Sequence, residues 1–243
     1  MDDQPEYDST RPRSAIDFHE ELARAWDQKY RQPSFKRRAQ AVIELLNNCD
    51  LTGQLWLDAG CGSGYLSRRL MERGCGVIGV DGSQAMVDVA QGLVEEPHRT
   101  KSLFCRITTV ECLPLRSAAF DGVICSSVLE YLNDPRACLQ QLYRVMKPGS
   151  LLIISVPHSR SLLRRSLKLA YQLTARLLRK PWPTYIQYSV NEYDISALVG
   201  LLHNHGFRVE KVNCFSPIGQ SAFARSLLSS LIVAVARRPP NPL

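Results

Sequence analysis

No stretch of this sequence is long and apolar enough to span a membrane. A spanning helix needs about 18 uncharged apolar residues or more. The longest candidate here, Ser226 to Ala236, is 11 residues clamped between Arg225 and Arg237. The first residues, MDDQPEYDSTRPR, are acidic and lack the apolar core of a secretory signal. A cytoplasmic protein is the expectation, with the membrane surface as a second location. The eight cysteines form no C-x-x-C pair and no Cys/His cluster at zinc spacing. Neither a disulfide framework nor a metal site is therefore expected, and Cys105 and Cys125 sit in apolar runs where a thiol acts as a small hydrophobe. No internal repeat and no low-complexity tract is found. Acid is missing from one long block: Pro135 to Asn191 holds ten bases and no Asp or Glu. The net charge of +7 comes from this block, since the rest of the chain carries 20 bases against 23 acids. A local basic surface is implied rather than general binding of nucleic acid.

What is present is ordinary globular composition, 45% apolar and 22% charged over 243 residues, enough chain to bury a core. Residues 1–14 are polar and read as a loose tail. Ile16 to Tyr30 and Phe35 to Asn47 have apolar residues at helical spacing, as in Ala39, Val42, Ile43 and Leu46. From there, short apolar runs alternate with helical segments. Strands are predicted at 55–60, 77–81, 102–107, 120–127, 151–157, 207–215 and 231–236. Helices are predicted at 65–73, 84–93, 135–146 and near 190–205. Strands that are apolar throughout and alternate with helices indicate a parallel sheet covered on both faces. The predicted class is a doubly wound α/β fold with an N-terminal helical cap.

The first strand runs into Asp58-Ala59-Gly60-Cys61-Gly62-Ser63-Gly64 and then a helix. Glycines at alternate positions let the chain turn tightly and bring bare backbone against a ligand. The loop falls at the carboxyl edge of the sheet, where such folds bind ligands. The second strand ends in Asp81, whose two acceptor oxygens suit a ribose diol. The spacing G-x-G-x-G differs from the dinucleotide pattern, so a pyrophosphate is not implied.

The stretches LWLDAGCGSGYLSRRLMERGCGVIGVDGSQAMVDVAQ and FDGVICSSVLEYLNDPRACLQQLYRVMKPGSLLIISVP resemble the two halves of class I S-adenosylmethionine-dependent methyltransferases, over about residues 50–160. The fold that resemblance implies is a mostly parallel, seven-stranded Rossmann-like sheet with an antiparallel last strand. The cofactor it implies is S-adenosyl-L-methionine. Asp58, Gly60, Gly62 and Gly64 would hold its methionine end, Asp81 its ribose, and Ser83 and Met86 would line the adenine pocket. Relatives commonly carry an Asp after the third strand that takes the adenine amino group. Thr109 stands there in this sequence, with Val110 offering its backbone N–H to the ring.

After the fourth strand, Ser126 matches a position that contacts the methionine part. Relatives often read Leu-Glu-His where this chain has Leu129-Glu130-Tyr131. Glu130 can orient a hydroxyl, hold a metal with a second group, or simply cap the next helix. His158, after the fifth strand, is a candidate base for a hydroxyl or phenol, with polar surface as its alternative role. Methyl transfer needs little acid–base work, because the sulfonium is already an activated leaving group. Trp26-Asp27-x-x-Tyr30 and Arg37-Arg38 resemble the family's cap, which folds over the cofactor.

Residues 160–189 form a basic insert. On a helical wheel, Leu162, Leu163, Leu167, Leu169, Ala170, Leu173, Leu177 and Leu178 take one side. Arg164, Arg165, Lys168, Arg176 and Arg179 take the other, with Trp182 and Tyr185 following. Residues 160–180 then read as a helix for an anionic membrane surface, or as a lid on the substrate pocket. Ubiquinone and menaquinone methyltransferases carry an insert in this place. The expected function is methyl transfer, foremost to oxygen, on a small or lipid-tailed acceptor by one domain spanning 15–243, with 15–48 as its cap. C- or N-methylation and a non-catalytic cofactor-binding protein remain as alternatives. There is no base-flipping motif and no interleaved aromatic platform, so no nucleic-acid partner is expected.

Overall fold

In the computed structural model the described residues are 14–178, 184–217 and 228–240. The tail over residues 1–13, and Arg179, Lys180 and Trp182 of the insert, lie outside them. Two cap helices come first, α1 (Ala15–Lys29) and α2 (Pro33–Ile43). The start of α1 is fixed by a capping box. The Ser14 hydroxyl accepts from the Asp17 N–H at 3.1 Å, and the Ser14 N–H donates to the Asp17 carboxylate at 2.9 Å.

The body then alternates β1 (Leu55–Ala59), α3 (Tyr65–Met71), β2 (Gly76–Asp81), α4 (Gln84–Gly92), a single helical turn α5 (Glu96–Arg99) and β3 (Ser102–Arg106). After them come β4 (Phe120–Ser126), α6 (Pro135–Val145), β5 (Met146–Pro157), α7 (Leu162–Leu178), α8 (Ile195–Asn204), β6 (Arg208–Phe215) and β7 (Leu231–Arg237). The sheet order is β3-β2-β1-β4-β5-β7-β6. The first five strands pair in parallel, and β7 inserts antiparallel between β5 and β6, as expected for a seven-stranded Rossmann-like sheet.

Neighbouring residues of one strand feed opposite faces, because side chains alternate across a pleat. Leu57, Val123 and Ile154 pack with Leu139 and Leu142 of α6 on one side. Trp56, Ile124 and Ile153 pack with Leu70 of α3 and Val42 of α2 on the other. The strand order reverses between β1 and β4, and a crevice opens at the carboxyl ends where it does. No described helix is long and apolar enough to cross a membrane.

Several boundaries differ from the sequence expectation, among them those of β5 and α8. Strand β5 begins at Met146, five residues before the predicted strand at 151. Helix α8 starts only after its cap, Asp194, whose side chain accepts from the Ala197 N–H at 2.8 Å. Val190 and Asn191 are left extended, and both donate main-chain N–H groups to the Glu130 carbonyl, at 2.8 and 3.2 Å.

Candidate active site

The crevice at the strand reversal is a cavity of about 920 Å³. One wall is the glycine loop and the ends of β1 to β3. Gly60, Gly62 and Gly64 all take left-handed backbone, with φ of +75°, +52° and +73°. A Cβ on Gly60 would overlap the Val128 side chain, whereas one on Gly62 would meet nothing nearer than the Trp26 indole nitrogen, at 3.7 Å. Gly62 therefore presents bare backbone to the cavity, with the Trp26 indole across from it. The loop is pinned by the Gly60 and Cys61 N–H groups, which donate to the Val80 carbonyl at 2.8 and 3.0 Å.

Asp58 is buried, and accepts the Ser67 hydroxyl at 2.6 Å. Burial pushes its carboxyl up to about 6, against the pull of that hydrogen bond. Asp81 receives the Gly62 N–H on one oxygen, at 2.8 Å, and the Ser83 N–H on the other, at 3.0 Å. Each oxygen keeps lone-pair capacity for a ligand diol. Burial raises this carboxyl too.

Met86, Thr109, Val110 and Ser126 line the cavity along with Asp58, Gly60, Gly62 and Asp81. Ser83 and Gly64 do not. The Ser83 hydroxyl is spent as the cap of α4, accepting the Met86 N–H at 3.0 Å. Gly64 is the cap position of α3. Thr109 is more than a weakened aspartate. Its hydroxyl donates to Glu111 at 2.7 Å and accepts the Glu111 N–H at 3.2 Å. Donation to a carboxylate enriches the threonine oxygen, which keeps one acceptor site. Glu111 also lines the cavity, so negative charge stands two residues beyond the position where relatives carry it.

The opposite wall is assembled from distant segments. After β4, Ser127 takes left-handed backbone, with φ of +56°, rare for a residue that is not glycine. A tight 3-10 turn at Leu129–Tyr131 follows. It carries Glu130, 4% exposed, with one carboxyl oxygen that has no hydrogen-bond partner. Burial pushes this carboxyl up to about 7, while the Arg38 and Arg164 guanidiniums and the Ser127 hydroxyl oppose the rise. The turn is braced by the Asn191 amide, which donates to the Leu129 and Leu132 carbonyls at 3.0 and 2.7 Å.

His158 is not brought to this site. It follows β5, but β7 pairs alongside, and the His158 N–H donates to the Ser230 carbonyl at 3.0 Å. Its ring is buried outside the cavity lining, and burial lowers its pKa. The histidine that does line the cavity is His19 of α1. Its Nδ1 lies 2.7 Å from the Ala15 carbonyl, which can only accept, so Nδ1 carries the proton and Nε2 the lone pair. Phe18, Trp26 and Tyr131 meet the ring edge-on, and burial lowers its pKa. Nothing in the spacing of α1 marks His19, because it depends on how the cap docks.

The cap itself splits by role. Trp26, Tyr30 and Arg38 line the cavity. Asp27 ties α1 to the body through Arg68 at 2.6 Å, and Tyr30 stacks on Tyr65 with ring centres 4.0 Å apart. Arg37 turns away, to the Pro217 carbonyl. Helix α7 departs from the two-faced division expected of it. Leu163, Arg164 and Leu167 face the cavity, while Leu162, Leu169, Leu173 and Leu177 are exposed. Arg164 is 7% exposed and ion-paired with Glu192, which Lys168 also grips at 2.6 Å. Two of the expected surface bases thus fasten the helix to the body. Among the described residues no cluster of His, Cys, Asp or Glu is arranged to hold a metal ion.

Residues 57–154 match the methyltransferase domain family. Over 103 residues the chain is 38% identical to malonyl-[acyl-carrier protein] O-methyltransferase of Serratia marcescens, covering 42% of this chain and 38% of that one. Over 105 residues it is 34% identical to the ubiquinone biosynthesis O-methyltransferase of Coxiella burnetii, covering 43% and 44%. The match thus spans about four-tenths of the length of these curated relatives. The fold superimposes on magnesium protoporphyrin IX methyltransferase from Synechocystis PCC 6803, solved with bound SAH, with a TM-score of 0.63 at 21% identity, covering 94% of this chain and 89% of that one. The chain carries a class I S-adenosylmethionine-dependent methyltransferase domain, and S-adenosylmethionine is that domain's cofactor. The bare Gly62 backbone and the two receptive oxygens of Asp81 fit it.

Proposed function

We propose that the protein methylates an oxygen of a small or lipid-tailed acceptor, with Glu130 receiving the acceptor's proton. The observation that carries this reading is the unpartnered oxygen of Glu130, buried in the cavity wall. A buried acceptor atom without a donor is costly, and a ligand hydroxyl would satisfy it. A carboxyl near pKa 7 is matched to accepting a proton at neutral pH. When bound, the cofactor supplies an electrophilic methyl on a sulfonium that leaves readily. Asp58 and the backbone of Gly60 to Gly62 would hold its methionine end, with Ser126 beside it. Asp81 would take the ribose, and Met86, Thr109 and Val110 the adenine. The acceptor oxygen would lose its proton to Glu130 as it gains the methyl group. Residues 15–243 act as one unit in this reading, with the cap helices and α7 bordering the reactants.

Supplying methyl-labelled cofactor to a metabolite and lipid extract tests the proposal. Label should enter a methyl ether, stable to acid and base, or a methyl ester, from which base releases labelled methanol. Tight cofactor binding with no labelled product would favour a non-catalytic binding protein, and label on carbon or nitrogen would reassign the atom.

A second feature favours a lipid-tailed acceptor met at a membrane surface. The exposed leucines 162, 169, 173 and 177 run along one stripe of α7, flanked by exposed Arg165 and Arg176. The opposite side of the same helix lines the cavity. Apolar side chains flanked by bases suit an anionic bilayer surface. Wild-type protein should sediment with phosphatidylglycerol vesicles at low salt, and Leu169→Ser with Leu173→Ser should abolish it. Wild-type protein left in the supernatant at low salt would leave α7 as a lid alone.

A further inference from the structure

The mechanism above uses Glu130 but not the groups that aim it. Arg38 stands on cap helix α2, far from Glu130 in sequence, yet its guanidinium donates to the Ser127 hydroxyl. Arg38, Ser127 and Glu130 line the same cavity, and both the guanidinium and the Ser127 hydroxyl favour the charged form of the Glu130 carboxyl. Ser127 occupies left-handed backbone, where glycine would be unstrained, so its side chain is retained at a conformational cost. Its N–H is fixed by the Ser155 carbonyl at 3.0 Å, which leaves the hydroxyl a defined direction. We propose that Arg38, acting through the Ser127 hydroxyl, is the positioning residue that holds the Glu130 carboxyl toward the cavity, ready to take a proton. The proposal rests on the reading of Glu130 as proton acceptor.

The other groups facing Glu130 do not fill this role. Arg164 already balances Glu192 and donates to the Ser189 hydroxyl at 2.5 Å. Arg38 makes no ion pair among the described residues, so its charge is available to Glu130. Tyr131, Tyr193 and Cys125 also face Glu130, and all three are held in their neutral forms. A cation and a hydroxyl donor favour the carboxylate, whereas desolvation favours the acid. Losing Arg38 therefore leaves desolvation unopposed on that side.

The test is a carbon-13 carboxyl NMR titration of the full chain without cofactor or acceptor, with the Glu130 signal assigned by Glu130→Gln. Arg38→Met should move the Glu130 midpoint upward by about 1 pH unit or more. Arg38→Lys should restore most of that shift, and Ser127→Gly should raise the midpoint by less. An unchanged midpoint in Arg38→Met, with unchanged thermal unfolding, overturns the proposal. If Arg38→Met does not fold, Ser127→Gly decides in the same way, because its backbone region accepts glycine. No methyl transfer is measured, so a missing acceptor and a wrong positioning residue give different results.

Discussion

The two walls of the cavity are built in contrasting ways. The wall proposed for the cofactor comes from one continuous stretch, Asp58 to Glu111, laid along the ends of three adjacent parallel strands. Its polar atoms are occupied by their neighbours: Asp58 by Ser67, Asp81 by two backbone N–H groups, Thr109 by Glu111. The wall proposed for the acceptor draws on α1, α2, the turn at Leu129–Tyr131, α7 and the ends of β6 and β7. There Glu130 keeps a buried oxygen without a partner. A satisfied wall holds its shape with or without a ligand, while an unsatisfied group gains most when a ligand arrives. The similarity to the methyltransferase domain covers residues 57–154, which is the first wall and the turn at the edge of the second. Cofactor use is thus shared with many proteins. In the proposed reading, acceptor choice rests on segments outside that match.

The contrast can be broken most directly at Asp81. Asp81→Ala should weaken S-adenosylmethionine binding by about 2–4 kcal/mol, from the loss of buried charge-assisted hydrogen bonds. Calorimetry giving an unchanged affinity would remove Asp81 from the cofactor wall and most of the reading with it.

The acceptor wall should instead show its character in stability. With a folded pKa of about 7 against 4.5 when unfolded, Glu130 binds its proton more tightly in the native state. That stabilisation is fully present below pH 4.5 and is lost as pH rises through about 7. Glu130→Gln removes the penalty, so the variant should gain about 2–3 kcal/mol over wild type at pH 8 and little at pH 4. Urea unfolding at the two pH values measures the difference. Equal gains at both would show that Glu130 does not titrate with folding.

The smallest effect sharpens the description of the cofactor wall. Thr109→Asp would restore the residue type found in relatives, but it sets a second carboxylate beside Glu111. Like charges at that distance repel, so cofactor affinity should fall by about 1 kcal/mol rather than rise. Tighter binding would mean that Glu111 swings away and that Thr109 is a plain substitute.

Much of the fold was legible because its signals are local. Apolar runs alternating with helical spacing specify strands and helices within a few residues of one another. The G-x-G-x-G loop needs only its own left-handed backbone and the strand before it. The boundaries that shifted have tertiary causes. Val190 and Asn191 leave the expected helix because the Glu130 carbonyl takes their N–H groups. The site residues divide along the same line. Asp58, Gly60, Gly62 and Asp81 sit where sequence neighbours place them. His158 lies outside the cavity lining because β7 pairs alongside it, whereas docking of the cap brings His19 to the cavity. Arg164 and Lys168 look like surface bases on a wheel, yet Glu192, more than twenty residues onward, draws them against the body.

The sequence by itself thus determined the strands, the helices and the glycine loop, since each depends on contacts within one strand–loop–helix unit, and its resemblance to a known family implied the cofactor. Only the tertiary structure decided which titratable groups line the cavity, which leucines of α7 face out, and that the Thr109 hydroxyl pairs with Glu111. Those outcomes depend on burial and on pairing between distant segments, and periodicity carries no record of either.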